Sequence, residues 1–570
     1  MSGHVNMMDD VLISQRKHPT DIDRLQNADL LKVPTPLLRS ALRALVSQGS
    51  AAQKTFVEHV RARLRESTPA FPPARDLFKD QASSAAYLSS TRCLFSSKMV
   101  QDSLLHLAHF LRCIPEAKIR WNSNDALELT LEKACGDIVQ AVQALKESRP
   151  EPTLDLENLL RRLRSALTAC QSYCYSNNLS YPFTRSLLQL EDVLALLYPS
   201  STFKHLNSTT NPRIDISVDS SVAAKLEYFQ LGPAKVPRLF NGLWQMSSPA
   251  WGSASSTKQN AALCELVRRG LVATDMADHY GDAELMYGSF RNRLPEEVGR
   301  TVFAGTKWCV FRPLDGPVTT DFVLAAVKER SRRLGGRVEL LQFHWFDYNA
   351  KEYLIILEKL VGLTKSHPHL VSAIGLCNFD AEHTQEACEY LIAKTGNVGV
   401  VSNQVQYSLI DSRPKIKMAS VCEKYGIRLL TYGSFCGGFL SEKWLGVKSP
   451  DVYSEAVALT PSQRKYFDMI MTWGSWSDLQ HLLQTLKSIA DTHGVELTNV
   501  ATRWVLDNPE VGAVIVGTRL GVSSNADSNL KVFSFKLTPE DTARIDAVAL
   551  GAHLQGLYDK IGDCGHEYRH

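Results

Sequence analysis

The sequence predicts a (β/α)8 TIM barrel preceded by an all-α N-terminal domain, and three observations carry that prediction. Apolar residues recur at helical spacing through the first third of the chain. After about residue 238, eight short β-rich runs alternate with helical runs over about 310 residues. The chain contains no GxGxxG, the Gly-rich turn that a doubly wound dinucleotide-binding sheet usually carries after its first strand.

The N-terminal runs are LLRSALRALVSQ, MVQDSLLHLAHFLRCI, DIVQAVQALKES and LENLLRRLRSALTACQSYCY. Each repeats apolar residues three and four apart, which gathers them on one helical face. Pro-containing breaks at 69–73 and 150–152 separate them. Residues 1–198 therefore read as a helical domain long enough to bury its own core, with Arg161, Arg162 and Arg164 on a solvated face. Residues 199–235, rich in Ser, Thr, Asn and Pro, read as a linker. The glycosylation pattern at Asn207-Ser208-Thr209 carries no weight without a secretory leader.

Residues 236–550 read as the barrel. Its strands are expected in RLFNGLWQM, LVATDMA, TVFAGTKW, VELLQFHW, VSAIGLCNF, VGVVSNQVQY, IRLLTYGSF and VGAVIVGT. Helices such as TTDFVLAAVKERSRRLG and EYLIILEKLVGLTKS lie between them. The long connection 441–477 contains Trp473 and Trp476, which either shape a pocket or pack the loop. Residues 551–570 read as a frayed polar tail, and its Cys564, His566 and His570 as tail residues rather than metal ligands.

The 63 basic and 60 acidic residues leave a net charge of +3, so no electrostatic reason exists to expect nucleic acid or an anionic membrane as partner. No run of about 18 apolar residues occurs. MSGHVNMMDDVL carries Asp9 and Asp10 and no apolar leader core, so a cytoplasmic protein is expected. The 12 scattered cysteines agree with a reducing compartment, and no metal site is expected.

Barrel chemistry sits at the C-terminal ends of strands. In chain order those ends hold Asn241 to Trp244, Asp275 with Tyr280, Lys307, His344, Cys377 with Asn378, Gln404, Tyr432, and Gly517 to Arg519. A tyrosine alone is a poor proton shuttle, its reference pKa being about 10. A neighbouring ammonium favours the phenolate and is expected to lower that pKa by roughly one to three units. Asp275 can hold Lys307, and His344 can bond a substrate carbonyl or assist the proton transfer. Together these groups can polarise a C=O and protonate its oxygen as hydride reaches the carbon. Asp278 and His279 read as turn residues, and Gly281-Asp282 as the turn into the next helix. Tyr390 and Lys394 mimic a YxxxK dehydrogenase pair but read as surface neighbours on a helix.

DMADHY, GTKW, QFHW, GLCNF, SNQVQYS, LTYGSFCGGFLSEKWLG and IVGTR, in this order over residues 238 to 550, resemble the aldo-keto reductase superfamily. The resemblance implies catalytic roles for Tyr280, Asp275, Lys307 and His344. It implies that Asn378 and Gln404 hold a nicotinamide carboxamide and that Tyr432 stacks on the ring. Gly433, Ser434, Phe435 and Gly437 would follow the pyrophosphate, and Gly517, Thr518, Arg519 and Asn529 the adenosine end. The implied cofactor is NADPH, with NADH as the alternative, because Arg519 is the one basic residue in GTRLGVSSNADSN. Cys377 stands where the family has a serine, and a thiol is a weaker donor. The implied activity is reversible reduction of small aldehydes or ketones. The competing expectation is a cofactor-sensing scaffold or assembly subunit whose helical domain binds a protein partner.

Overall fold

The computed structural model describes residues 33–47, 49–199, 212–454 and 459–569. The leader reading, the glycosylation pattern at 207–209 and His570 lie outside these residues.

The N-terminal region is all-helical. Its helices are α1 (Thr35–Val46), α2 (Ser50–Glu66), α3 (Gln81–Ser96), α4 (Val100–Glu116), α5 (Ala126–Ser148), α6 (Leu154–Ser176) and α7 (Thr184–Leu197). Polar residues set three of the starts: Asp80, Asp125 and Thr153 accept the backbone N–H of Ser83, Glu128 and Leu156. Each satisfies a donor that the first helical turn leaves free. Both Pro-containing breaks fall between helices, before α3 and before α6. Leu104, Phe110, Leu131, Ile138, Leu160, Phe183 and Leu190 close one core among α3 to α7. α2, α3 and α7 are not among the periodic runs quoted above.

A two-stranded antiparallel hairpin, β1 (Tyr228–Leu231) and β2 (Ala234–Pro237), begins inside the stretch that composition marks as a linker and ends two residues beyond it. Its Leu231 and Val236 join Phe240, Phe303, Leu340, Leu430 and Ala513 in the barrel interior. Phe229 lies so close to Gly512 that a Cβ there would stand 2.3 Å from the ring, so this approach requires glycine.

Eight parallel strands close the barrel in the order β10-β3-β4-β5-β6-β7-β8-β9. They are β3 (Leu239–Gly242), β4 (Ala273–Asp275), β5 (Phe303–Cys309), β6 (Val338–His344), β7 (Val371–Cys377), β8 (Val400–Gln406), β9 (Arg428–Tyr432) and β10 (Val511–Gly517). Seven strands fall inside the expected runs, and β5 runs one residue past TVFAGTKW, to Cys309. The helices that follow successive strands begin with α8 (Ser256–Arg268), α9 (Ala283–Arg291), α10 (Thr320–Arg333), α11 (Glu352–Ser366), α12 (Ala381–Thr395) and α13 (Met418–Tyr425). After β9 come α14 (Pro461–Trp473), α15 (Trp476–His493) and α16 (Leu497–Leu506), and after β10 come α17 (Pro539–Ala549) and α18 (Ala552–Ile561).

The connection after β9 settles the two tryptophans as packing residues. Trp473 donates to the Ala549 carbonyl at 3.0 Å and stacks on His553, while Trp476 donates to the Val447 carbonyl at 2.8 Å and packs on Trp444. On α12, Tyr390 and Lys394 are the expected helix neighbours, the ammonium 5.7 Å from the ring. The last residues differ from the expected frayed tail. α18 and the turn after it are ordered against the barrel, Cys564 is buried, and Glu567 pairs with both terminal nitrogens of buried Arg413 at 3.0 and 3.2 Å.

Candidate active site

The C-terminal ends of the strands open into a cavity of about 880 Å³, lined from Tyr280 and His344 to Arg519 and Asn529. That volume lies within the usual range for small-molecule and cofactor sites. Parallel register sets its floor. Asp275 pairs with Gly305, which has no side chain, and Lys307 two residues on reaches the carboxylate.

Lys307 uses its three N–H groups on three partners: Asp275 Oδ2 at 2.6 Å, the Met276 carbonyl at 2.8 Å and the Tyr280 hydroxyl at 3.4 Å. The other oxygen of Asp275 accepts from Gln342 and Gln404, each at 2.8 Å. Gln342 was not singled out in the sequence, although it opens QFHW. Its register opposite Lys307 is what brings it to the carboxylate.

Asp275, Lys307 and His344 are buried to 4%, 2% and 2% exposure, and Tyr280 to 8%. Burial opposes charge on Lys307, but the Asp275 carboxylate outweighs it and raises the ammonium pKa. Burial also pushes the Tyr280 phenol above its ordinary value, against the pull of Lys307. This corrects the expected lowering. Burial keeps the proton on the phenol, because the cost of a buried anion exceeds the attraction of an ammonium already paired with Asp275.

His344 lies across the cavity. Burial, with Arg569 nearby, pushes its pKa down to about 3, so the ring is neutral. Its Nδ1 stands 3.1 Å from the Cys377 carbonyl oxygen, which only accepts, so Nδ1 carries the proton. Nε2 is then a bare acceptor, buried and without a partner among the described residues.

Asn378 leaves β7 with φ +57, a left-handed conformation that asparagine tolerates better than most residues. Its Oδ1 accepts from the Tyr432 hydroxyl at 3.0 Å. Gln404 spends its amide N–H groups on Asp275 and Gln342, which leaves Oε1 as its unspent polar atom. Gly433 and Gly437 turn the chain after β9 at φ +80 and +65, while Ser434 is tied to the Tyr407 carbonyl. Phe435, Gly517, Thr518, Arg519 and Asn529 line the same cavity, with Arg519 exposed at its far end. The structure therefore brings every sequence-derived site residue to one cavity. A neutral donor-rich floor, a bare imidazole nitrogen and glycine turns fit a dinucleotide with a small carbonyl compound.

Three residues read differently from the sequence. Asp278 is no simple turn residue: its carboxylate takes the Arg330 guanidinium at 2.5 Å and the Cys309 N–H at 3.2 Å. His279 lines the cavity, edge-on to Tyr280 and Phe311. Tyr568, from the supposed tail, enters the site with its hydroxyl 3.0 Å from that of Tyr432 and bonded to Lys465. Only the docking of the C-terminus, through Glu567 on Arg413, could have revealed it.

Comparison with known proteins gives the same direction. The chain is 25% identical to the chloroplastic pyridoxal reductase of Arabidopsis thaliana over 380 residues, covering 62% of this chain and 95% of that protein. It is 25% identical over 224 residues to the NADH-specific methylglyoxal reductase of Escherichia coli, covering 36% and 65%. It is 31% identical over 184 residues to flagellar radial spoke protein 5 of Chlamydomonas reinhardtii, and that match spans 30% of this chain and only 33% of the spoke protein. Residues 238–550 match the model of the aldo/keto reductase family, and the chain belongs to that family.

Proposed function

We propose that the protein is an NADPH-dependent reductase of aldehydes or ketones, able to run in reverse as a dehydrogenase of the corresponding alcohols, with Tyr280 as general acid. The observation that carries this reading is the buried chain from Asp275 through Lys307 to the Tyr280 phenol, lying under the bare Nε2 of His344. A bound nicotinamide supplies the hydride for the carbonyl carbon. Tyr280 gives its phenolic proton to the carbonyl oxygen in the same event. Lys307 then stabilises the phenolate, and Asp275 keeps Lys307 charged and in place. A neutral His344 protonated at Nδ1 cannot donate to the carbonyl. It accepts from the alcohol hydroxyl as that group forms, which orients the product oxygen toward Tyr280.

In this reading Asn378 and the Oε1 of Gln404 take the carboxamide, Tyr432 faces the ring, and residues 433–437 follow the pyrophosphate. Arg519 is the one cation of residues 517–529 for a 2′-phosphate, which favours NADPH, although the bacterial relative is named for NADH. Twelve free thiols support a reducing, cytoplasmic setting. Among the described residues no helix is long and apolar enough to cross a membrane.

The test is nucleotide oxidation with a panel of aldehydes that includes pyridoxal and methylglyoxal, beside a Tyr280→Phe variant. Loss of the phenol is expected to lower kcat about 10²-fold or more. Turnover indifferent to Tyr280 would overturn the assignment. The likeness to a radial spoke protein supports a second reading, in which the barrel senses cofactor and the helical domain, a unit of its own at 1–198, docks on an assembly. Cofactor binding without turnover of any carbonyl would favour it.

A further inference from the structure

Tyr280 rides on the segment between β4 and α9, residues 276–282. Inside the barrel this segment is held from below, where Lys307 takes the Met276 carbonyl and Arg330 takes Asp278. Its outer side faces the helical domain, which supplies further anchors at Asp278 and Asp282. Gln143 of α5 donates to the Asp278 carbonyl at 3.1 Å. Arg185 of α7 grips Asp282 with two parallel bonds, Nε to Oδ2 at 2.9 Å and Nη2 to Oδ1 at 2.6 Å. Arg333 of α10 donates to the Gly281 carbonyl at 3.1 Å and to Glu284 at 2.7 Å, and its remaining nitrogen is paired with Asp192 of α7. Glu284 in turn accepts from Thr306, the residue before Lys307, at 2.5 Å.

The Arg185–Asp282 pair is withdrawn from water, at 5% and 0% exposure. Asp282 sits at the N-cap of α9, where an aspartate usually accepts from the helix backbone, yet its side chain makes no cap bond. Both its oxygens go to the other domain. The contact is also close. A Cβ at Gly136 of α5 would meet Pro249 and Ser253 of the barrel at 2.9 Å, and one at Gly281 would meet Val139 at 3.0 Å.

We infer that the helical domain completes the active site, with Arg185 as a positioning residue for Tyr280. This rests on the reading of Tyr280 as the general acid. A phenol 3.4 Å from its ammonium has little slack, and proton transfer requires it at hydrogen-bond distance from the substrate oxygen. Asp278, Gly281 and Asp282 flank Tyr280 on both sides, so the fork, with Gln143 and the Asp192–Arg333 pair, fixes where the phenol stands. A minimal barrel has no part that could supply these groups. The inference therefore gives residues 126–197 a role within the enzyme rather than beside it.

The experiment uses the full chain carrying Arg185→Met with Asp282→Asn, which removes the pair without leaving a buried charge. Circular dichroism checks folding. Hydrogen exchange over 276–290, the Kd for NADPH, and kcat and KM with pyridoxal or methylglyoxal are then compared with the unmodified protein. Expected are faster exchange in that segment and a kcat at least tenfold lower, with KM and Kd within about twofold. A folded variant with unchanged exchange, or with kcat within twofold of the parent, overturns the inference. If the paired variant does not fold, Gln143→Met, which removes the bond to the Asp278 carbonyl together with those to Glu147 and Gln189 within the helical domain, decides by the same readouts, with a threefold or larger drop in kcat expected and no change overturning it. If the unmodified protein turns over no carbonyl, the reductase reading fails by itself. Exchange then decides the positioning role alone: faster exchange upholds it and unchanged exchange overturns it.

Discussion

The Lys307 ammonium stands 3.4 Å from the Tyr280 phenol oxygen and 2.6 Å from Asp275, and burial still holds the phenol above its ordinary pKa. Proximity to a cation is therefore not what sets the protonation state of the resting site. Desolvation wins, and the phenol is a proton donor at rest.

A reduction that needs the protonated phenol is then independent of pH across the neutral range. Its rate falls only as pH rises through the raised pKa, above the ordinary phenol value of about 10. Lys307→Met removes the charge that stabilises the phenolate and is expected to lower kcat about 10²-fold or more with little change in cofactor affinity. Steady-state rates from pH 6 to 9.5, with fluorescence titration of the nucleotide, check both statements.

His344 predicts the acid stability of the barrel. Its folded pKa is about 3, below the unfolded value of about 6.5, so the unfolded chain binds a proton that the folded chain refuses. Stability is complete above about pH 6.5 and declines as pH falls toward 3. From pH 7 to pH 5 this one residue is expected to remove about 2 kcal/mol. His344→Gln should flatten that part of the profile. Urea unfolding at the two pH values measures it, and an equal loss in protein and variant would contradict the assignment.

Arg519 is exposed at the far end of the cavity. If it meets a 2′-phosphate, Arg519→Ala should weaken NADPH about tenfold, the scale of one charge-assisted contact, and leave NADH within twofold. Equal losses for both nucleotides would remove it from cofactor selection.

Tyr568 touches Tyr432 and stands edge-on to His344, so it bounds the space above the floor. Tyr568→Ala should widen the range of carbonyl compounds accepted and change KM more than kcat, because the residue touches none of the four floor groups by hydrogen bond. A panel of aldehydes graded by size tests this.

Much of the architecture was legible because it is local. Short apolar runs such as VELLQFHW, alternating with helical runs, announce buried strands whatever lies beside them, and a polar residue at each exit marks the rim of the cavity. The hairpin at 228–237 was not legible, because its short strands alternate too few residues to stand out from a Ser- and Asn-rich stretch. Asp278 and Asp282 read as turn formers, since Asp in a short Gly-containing stretch is what turns contain. Nothing local says that Arg330 and Arg185 will arrive to claim them.

The sequence by itself indicated the barrel, with its strands in chain order, and put Asp275, Tyr280, Lys307 and His344 at the strand exits. Apolar spacing along the chain suffices for the strands, and the resemblance to a family singled out those four residues. Tertiary structure alone decided that the phenol keeps its proton, that Tyr568 enters the site, and that Arg185 meets Asp282 across 97 residues of chain. Those outcomes depend on burial and on contacts between distant segments, and neither is written in the periodicity of any one of them.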